Sequence, residues 1–226
     1  MSTYLFLNLL IIIVPLILSF ESKIKYYKKF KNLTFAILPI AGIFIVWDSY
    51  AAARGDWFFN QDYIFNFKIF YLPIEEILFF ITVPYSIIFL YETAKLYIND
   101  ANLRYNKLFY TIVSVIFFII SLFFVSKYYT FTVLIFTSVT ILFLNFITPY
   151  LLKSRIFIYL LLFSYIPFFI FNYFFTSLPI IEYGANAILG IRVITIPIED
   201  FLYSFSLISL YIAMYELSFK LWQKKQ

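Results

Sequence analysis

Two pairs of adjacent acidic residues occupy equivalent places in this otherwise apolar chain. The sequence Pro-Ile-Glu-Glu at 73–76 recurs as Pro-Ile-Glu-Asp at 197–200, an offset of 124 residues, and neither pair has a basic neighbour. Carboxyl groups in a membrane-like chain are costly to keep and therefore indicate function. Two adjacent carboxyls in an apolar site can separate into one protonated acid and one ionised base near neutral pH. We therefore predict an acid/base site whose catalytic residues are Glu75, Glu76, Glu199 and Asp200.

Histidine and cysteine are absent from the 226 residues. Their absence excludes histidine bases, thiol nucleophiles, disulfides, zinc sites and iron–sulfur clusters, so proton transfer must fall to Asp, Glu, Tyr or Lys. The four glycines cannot form a dinucleotide-binding fingerprint. Paired carboxylates also suit Mg²⁺, but the wider aspartate-rich spacing of membrane prenyltransferases is missing. We expect neither a metal nor a cofactor.

The composition is that of an integral membrane protein. Hydrophobic residues make up 64% of the chain and charged residues 13%, against roughly 25% charged in soluble domains. The net charge of +5 is explained by membrane topology, so no nucleic-acid partner is needed. We predict an all-α polytopic fold, because seven apolar stretches approach the ~20 residues that cross a bilayer: 3–20, 33–53, 74–96, 108–125, 130–152, 156–175 and 198–219.

The basic residues predict how these helices are oriented. The first stretch lacks a preceding basic region and a cleavage site, so it is expected to be a retained helix rather than a signal peptide. With the N-terminus outside, thirteen of the seventeen Lys and Arg residues fall on the inner side and four on the outer side, as the positive-inside rule requires. We therefore predict a multi-pass plasma-membrane protein with a cytoplasmic C-terminus and both acidic motifs in the outer leaflet.

The offset of 124 residues extends over three helices and indicates an internal duplication. Asp48 falls on Asn172, and Lys68 on Arg192. A three-helix unit crosses the membrane an odd number of times, so an unmatched fourth helix is needed to keep the two copies parallel. The predicted architecture is 3+1+3: a first repeat at 1–100, a linker transmembrane helix at 101–127 and a second repeat at 128–226.

Further residues are predicted to support the acids. Pro73 and Pro197 fit the first turn of a helix, where the missing N–H would have no partner. Asp48 lies within the second helix, close enough to the acids to tune their protonation, whereas Asn172 is expected to bond to a neighbouring helix. Aromatic faces can stabilise a carbocation, although most of the 32 Phe and 21 Tyr residues must face lipid or core. For Trp57 we favour an interfacial anchor, and it is also among the candidate substrate-binding residues Trp47, Trp57, Phe79, Phe80 and Tyr203.

These motifs resemble those of the integral-membrane lycopene cyclases of the heterodimeric type, in their fused single-chain form. The resemblance covers nearly the whole chain and rests on four segments: 72–76, 196–200, the Trp47-Asp48 pair and the Gly-x-Trp-x-Phe-Asn loop at 55–60. It implies a redox-neutral cyclisation of the acyclic ψ-ends of lycopene to β-ionone rings, giving γ-carotene or β-carotene. The expected partners are the carotenoid and membrane lipid, and the sequence does not indicate an oligomeric state.

Other functions remain open at this point. A related end-group enzyme, such as an ε- or C50-carotenoid cyclase or a hydratase, would use the same chemistry. A proton-coupled transporter also carries intramembrane acids in parallel repeats, but it predicts polar residues along a path through the membrane, and the acids here cluster at one side. A non-catalytic carotenoid-binding subunit would retain the substrate without converting it.

Overall fold

The structure, a computed structural model, describes residues 1–223 and the side chains of 1–222. The helices are α1 (Thr3–Leu18), α2 (Phe30–Arg54), α3 (Ile74–Tyr97), α4 (Lys107–Leu122), α5 (Tyr128–Phe146), α6 (Pro149–Lys153), α7 (Arg155–Ser177) and α8 (Ile198–Gln223). A 3₁₀ turn at Tyr26–Lys29 precedes α2. The short strands are β1 (Trp57–Phe59), β2 (Lys68–Ile69), β3 (Leu72–Pro73), β4 (Ile181–Tyr183), β5 (Arg192–Val193) and β6 (Ile196–Pro197). Lys224 and Lys225, which the charge count places inside, lie outside the described residues.

Five helical segments of the described chain are long and apolar enough to cross a membrane. They are Tyr26–Arg54, Ile74–Tyr97, Tyr128–Phe146, Arg155–Ser177 and Ile198–Trp222. Two shorter apolar helices, Thr3–Leu18 and Lys107–Leu122, coincide with the remaining two predicted stretches. The protein is therefore a predominantly helical membrane protein, and these five segments are its candidate membrane crossings.

The helix predicted at 130–152 is not continuous, because the structure interrupts it at residues 147–148. Helix α5 ends at Phe146, and Pro149 opens the separate short helix α6. Proline has no N–H to continue the helical ladder, and it disfavours helical geometry at Thr148, the residue before it. The chain therefore bends here before α7 begins.

Helix packing follows the internal duplication. Helix α1 packs on α3 as α5 packs on α8, and α2 contacts α8 as α7 contacts α3. Helix α4 has no counterpart and packs mainly on α5. The buried faces of these helices form the core, whereas many Leu, Ile and Phe side chains on α1, α4 and α7 are exposed. In a membrane protein such faces are solvated by lipid.

The strands join the two copies about an approximate two-fold axis. Strand β1 pairs antiparallel with β4, so that Phe58 lies opposite Glu182. These two residues are 124 apart, so they are equivalent positions of the two copies. On either side of them, Trp57 pairs with the equivalent of Phe59, and Phe59 pairs with the equivalent of Trp57. Antiparallel pairing of equivalent strands is the arrangement that a two-fold axis through their centre produces. The acidic motifs that follow in each copy are thereby brought to the same end of the helices.

Glycines permit the close approach of the two loops. Gly55 ends α2 in the left-handed conformation, at φ 85°, which glycine adopts without steric cost. A Cβ on Gly184 would lie 2.5 Å from the Gly55 carbonyl oxygen. The contact between the copies at this point therefore requires glycine at 184. Each copy then forms a hairpin, β2–β3 or β5–β6, whose second strand leads directly into the acidic motif.

Candidate active site

The first acid of each motif holds a loop against the helix start. Glu75 Oε1 accepts hydrogen bonds from the Ser2 hydroxyl at 2.5 Å and the Phe65 N–H at 2.7 Å. Glu199 Oε1 accepts from the Thr130 hydroxyl at 2.6 Å and the Leu189 N–H at 2.7 Å. The Oε2 atom of each is buried and has no partner among the described residues. Both carboxyls tie a loop to a neighbouring helix, and neither lines the cavity described below.

The second acid of each motif is bonded to tyrosine instead. The Tyr4 hydroxyl donates to Glu76 Oε2 at 2.6 Å. Asp200 accepts two such bonds of 2.7 Å, from Tyr129 at Oδ1 and from Tyr183 at Oδ2. Consecutive helical residues point about 100° apart, which is why the neighbours in each acidic pair face different surroundings.

Tyr183 lies on β4, outside the helices. Burial, and then the charge of the neighbouring Asp200, raise the pKa of the Tyr183 phenol well above its ordinary value. The phenol therefore keeps its proton and remains a hydrogen-bond donor to Asp200.

Glu76 and Asp200 face one cavity of about 490 Å³ between α1, α3, α7 and α8. Asp48 lines the same cavity. Its Oδ2 accepts a long bond of 3.5 Å from Tyr203, and its Oδ1 is buried without a partner among the described residues. The volume is typical of small-molecule sites. Three carboxyl groups from the two copies thus meet in a cavity whose walls are otherwise mainly apolar.

Aromatic rings cover the acid end of the cavity. Trp57, Phe79 and Tyr203, three predicted substrate-binding residues, line it. Trp57 is only 6% exposed and packs edge-on against Tyr129, with ring centroids 5.2 Å apart. The interpretation of Trp57 as an interfacial anchor is therefore wrong, because β1–β4 pairing turns it inward. Rings at this position present their faces or edges to whatever occupies the cavity.

Other predicted site residues lie elsewhere. Trp47 and Phe80 are buried in the core beside the cavity without lining it, and Trp47 stacks on Phe136. Pro73 and Pro197 end the hairpins β2–β3 and β5–β6, so Pro73 is the extended N-cap of α3 rather than part of its first turn.

The sequence predicts a bond from Asn172 to a neighbouring helix. In the structure Asn172 lines the cavity instead. Its side-chain amide donates to the Phe168 carbonyl one turn earlier in α7, at 3.0 Å. The expectation of an interhelical bond is therefore wrong, because the space beside this face of α7 is the cavity rather than another helix.

Sequence reasoning missed the three tyrosines that hold the acids. Tyr4 and Tyr129 are structurally equivalent, since each also donates its backbone N–H to the loop of its own copy, at Tyr63 and Ala187. Their offset is 125 rather than 124, so a fixed offset aligns Tyr4 with the exposed Tyr128. Allowing a one-residue shift between α1 and α5 is the signal that would have found Tyr4 and Tyr129, whereas Tyr183 has phenylalanine, Phe59, at the equivalent position.

Comparisons with known proteins agree with this architecture. The family model described as lycopene cyclase matches residues 1–94 and 126–218, two regions that together make up most of the chain and leave out α4. No curated protein and no solved structure matches the chain. The two matched regions correspond to the two copies of the internal repeat, and the match supports a carotenoid cyclase activity.

Proposed function

Because the chain belongs to the lycopene cyclase family, we propose that it is a lycopene β-cyclase of the fused single-chain form. It converts the ψ-ends of lycopene to β-ionone rings, an intramolecular isomerisation that needs no cofactor. The observation that carries this proposal is the convergence of Glu76, Asp200 and Asp48 on one aromatic-walled cavity. Acids in an apolar, ring-lined pocket suit proton-initiated cation chemistry.

In the proposed reaction the substrate gains one proton from a carboxylic acid and loses one proton to a carboxylate. A carboxylic acid gives its proton to the terminal double bond of the ψ-end, which leaves a tertiary cation. The inner double bond attacks this cation, so that a carbon–carbon bond closes the ring and the positive charge moves onto it. A carboxylate then removes a ring proton and the electron pair of that C–H bond forms the new double bond. The molecular formula is unchanged.

Hydrogen bonding supports a division of roles between the acids. Both oxygens of Asp200 accept bonds from phenols, an arrangement suited to an ionised carboxylate because that form only accepts. Asp200 is the proposed base. Glu76 and Asp48 repel each other if both are ionised in the same apolar cavity, so one of them keeps a proton. Glu76, supported by Asp48, is the proposed acid.

The remaining predicted residues receive positioning or binding roles. Glu75 and Glu199 fix the loops that precede α3 and α8, and Pro73 and Pro197 end the hairpins there. Trp57, Phe79 and Tyr203 stabilise the cation through their ring faces. Trp47 and Phe80 support that layer from behind.

The proposed topology has seven crossings in the 3+1+3 order, with the N-terminus outside the plasma membrane and the C-terminus in the cytoplasm. Domain boundaries are 1–100, 101–127 and 128–226. The pairing of β1 with β4 and the equivalent helix contacts support a parallel arrangement of the repeats.

The test is expression in a lycopene-accumulating bacterium, followed by chromatography of the pigments. Wild-type protein should turn red cells orange and give β-rings, which are separated from ε-rings on the column. Glu76→Gln and Asp200→Asn should leave lycopene unconverted at normal protein levels. Glu182→Gln, which changes an exposed acid on β4, is the control and should behave as wild type.

Two results would contradict the proposal at different levels. Absence of any ring product from well-expressed wild-type protein would exclude cyclase activity. Full conversion by Asp200→Asn or Glu76→Gln would instead remove that residue from the reaction and leave the activity standing.

A further inference from the structure

The cavity continues away from the acids as a long apolar groove. On α1 its lining runs from Tyr4 to Leu18, and on α3 from Glu76 to Thr93. At 1.5 Å per residue these spans are about 21 Å and about 25 Å along the helix axes. Residues of α7 and α8 form the opposite wall. The site is therefore shaped for a linear apolar chain with one end beside the acids.

The far part of the groove opens sideways. Val14, Leu18 and Leu90 line it and are nevertheless exposed, Val14 by 58%. Exposed apolar side chains on helices of a membrane protein face lipid. A polyene dissolved in the bilayer can therefore enter between helices without crossing water.

The duplicated fold contains a second, equivalent position, which is filled. The cavity-lining residues Ile11, Phe168 and Phe171 correspond to Phe136, Phe44 and Trp47, with the offset of 125 for α1 and 124 for α7. The rings of Trp47 and Phe136 stack with centroids 4.4 Å apart, and Phe44 lies 5.3 Å from Phe136. The groove and the packed rings therefore occupy the two positions that the approximate two-fold axis relates, and each position is formed by helices of both copies.

The carboxyl groups among the residues that line the groove lie at one end only. They are Asp48, Glu76 and Asp200, and the polar lining residues farther along are the serines and threonine Ser86, Thr93, Ser164 and Ser204. Glu92, near that far end of α3, is paired with Lys29 and Lys95 instead. A bound chain therefore meets proton-transfer groups at one of its two ends.

We infer that the enzyme closes one end of lycopene per binding event, and that the one-ring product must leave the groove and return reversed before its second end can react. This inference rests on the proposed cyclase function. A conjugated polyene is stiff, so it cannot fold its second ψ-end back to acids that lie a groove length away. The filled equivalent position offers no second site for that end.

A chase experiment tests the inference. Purified protein in lipid vesicles is given isotopically labelled lycopene, and a large excess of unlabelled lycopene is added once labelled one-ring product has formed. If the intermediate is released, unlabelled lycopene competes for the groove, and further conversion of labelled one-ring to two-ring product slows roughly in proportion to the excess. Continued conversion at the original rate would show that both ends react without release and would overturn the inference.

The outcomes separate this inference from the proposed function. Vesicles that yield no ring product at all contradict the cyclase assignment. Vesicles that yield two-ring product from the earliest times, with no chase effect, leave the cyclase assignment intact and remove only the one-end-at-a-time inference.

Discussion

The Tyr129 hydroxyl donates a 2.7 Å hydrogen bond to Asp200, the last residue of the second acidic motif. Tyr4 makes the equivalent bond of 2.6 Å to Glu76 in the first copy. Each phenol orients a carboxyl that faces the shared cavity. The relationship makes tyrosine, rather than a basic residue, the partner of the proposed catalytic acids.

Removing the Tyr129 hydroxyl should weaken catalysis while preserving the fold. Tyr129→Phe deletes one bond that stabilises the ionised form of the proposed base, worth about 2 kcal/mol for a charged acceptor. Less of the carboxyl is then present as the reactive carboxylate, which lowers the rate by up to roughly 30-fold. Initial rates of ring formation in vesicles measure this. Tyr128→Phe is the matched control, because Tyr128 is exposed and outside the site. Equal rates for both variants would argue against a role for the Tyr129–Asp200 bond.

Removing the Thr130 hydroxyl should act on stability through Glu199. Thr130 is buried and donates to Glu199 Oε1, so Thr130→Val leaves a buried acceptor with one bond fewer at a cost of about 1–3 kcal/mol. Thermal unfolding in detergent should show a lower melting temperature. Thr132→Val is the comparison, since that exposed hydroxyl bonds only within its own helix. An unchanged melting temperature for Thr130→Val would contradict the anchoring role given to Glu199.

Filling the groove should block the substrate without touching an acid. Val83 lines the groove on α3, whereas Ile81 points to the exposed side of the same helix. Val83→Trp should reduce cyclisation by roughly tenfold or more, because a large side chain occupies space that the ligand needs. Ile81→Trp should convert lycopene normally. Val83→Met adds less bulk at the same position and should keep activity, so a loss confined to Val83→Trp reflects steric block of the groove rather than misfolding. If Val83→Trp converts lycopene at the wild-type rate, the polyene does not bind in the part of the groove that Val83 lines.

Single cysteines should report the proposed orientation, because the natural chain has none to remove. Asp62→Cys lies in an exposed loop on the acid side, and Lys23→Cys in an exposed loop after α1. A membrane-impermeant maleimide added to intact cells should label Asp62→Cys, and should label Lys23→Cys only after lysis. The reverse pattern would invert the topology and place the acids at the cytoplasmic side.

Much of the architecture could be predicted because apolar length and repetition are one-dimensional signals. The predicted stretches at 74–96 and 198–219 correspond closely to α3 and α8. The break at Pro149 was missed because the apolar stretch continues through it. The inward position of Trp57 could not be predicted, because the sequence does not show that β1 pairs with β4 across the two copies and turns the ring inward.

By itself, the sequence determined the setting and the reactive groups. The absence of histidine and cysteine left Asp, Glu, Tyr and Lys for proton transfer, and the offset of 124 residues paired the two acidic motifs. Only the tertiary structure decided which acid of each pair faces the cavity, because adjacent helical residues differ by about 100° and their surroundings come from other helices. It also decided that one of the two equivalent positions is an open groove and the other is filled by Trp47 and Phe136, since the equivalent positions carry the smaller side chains Phe171 and Ile11 on the groove side.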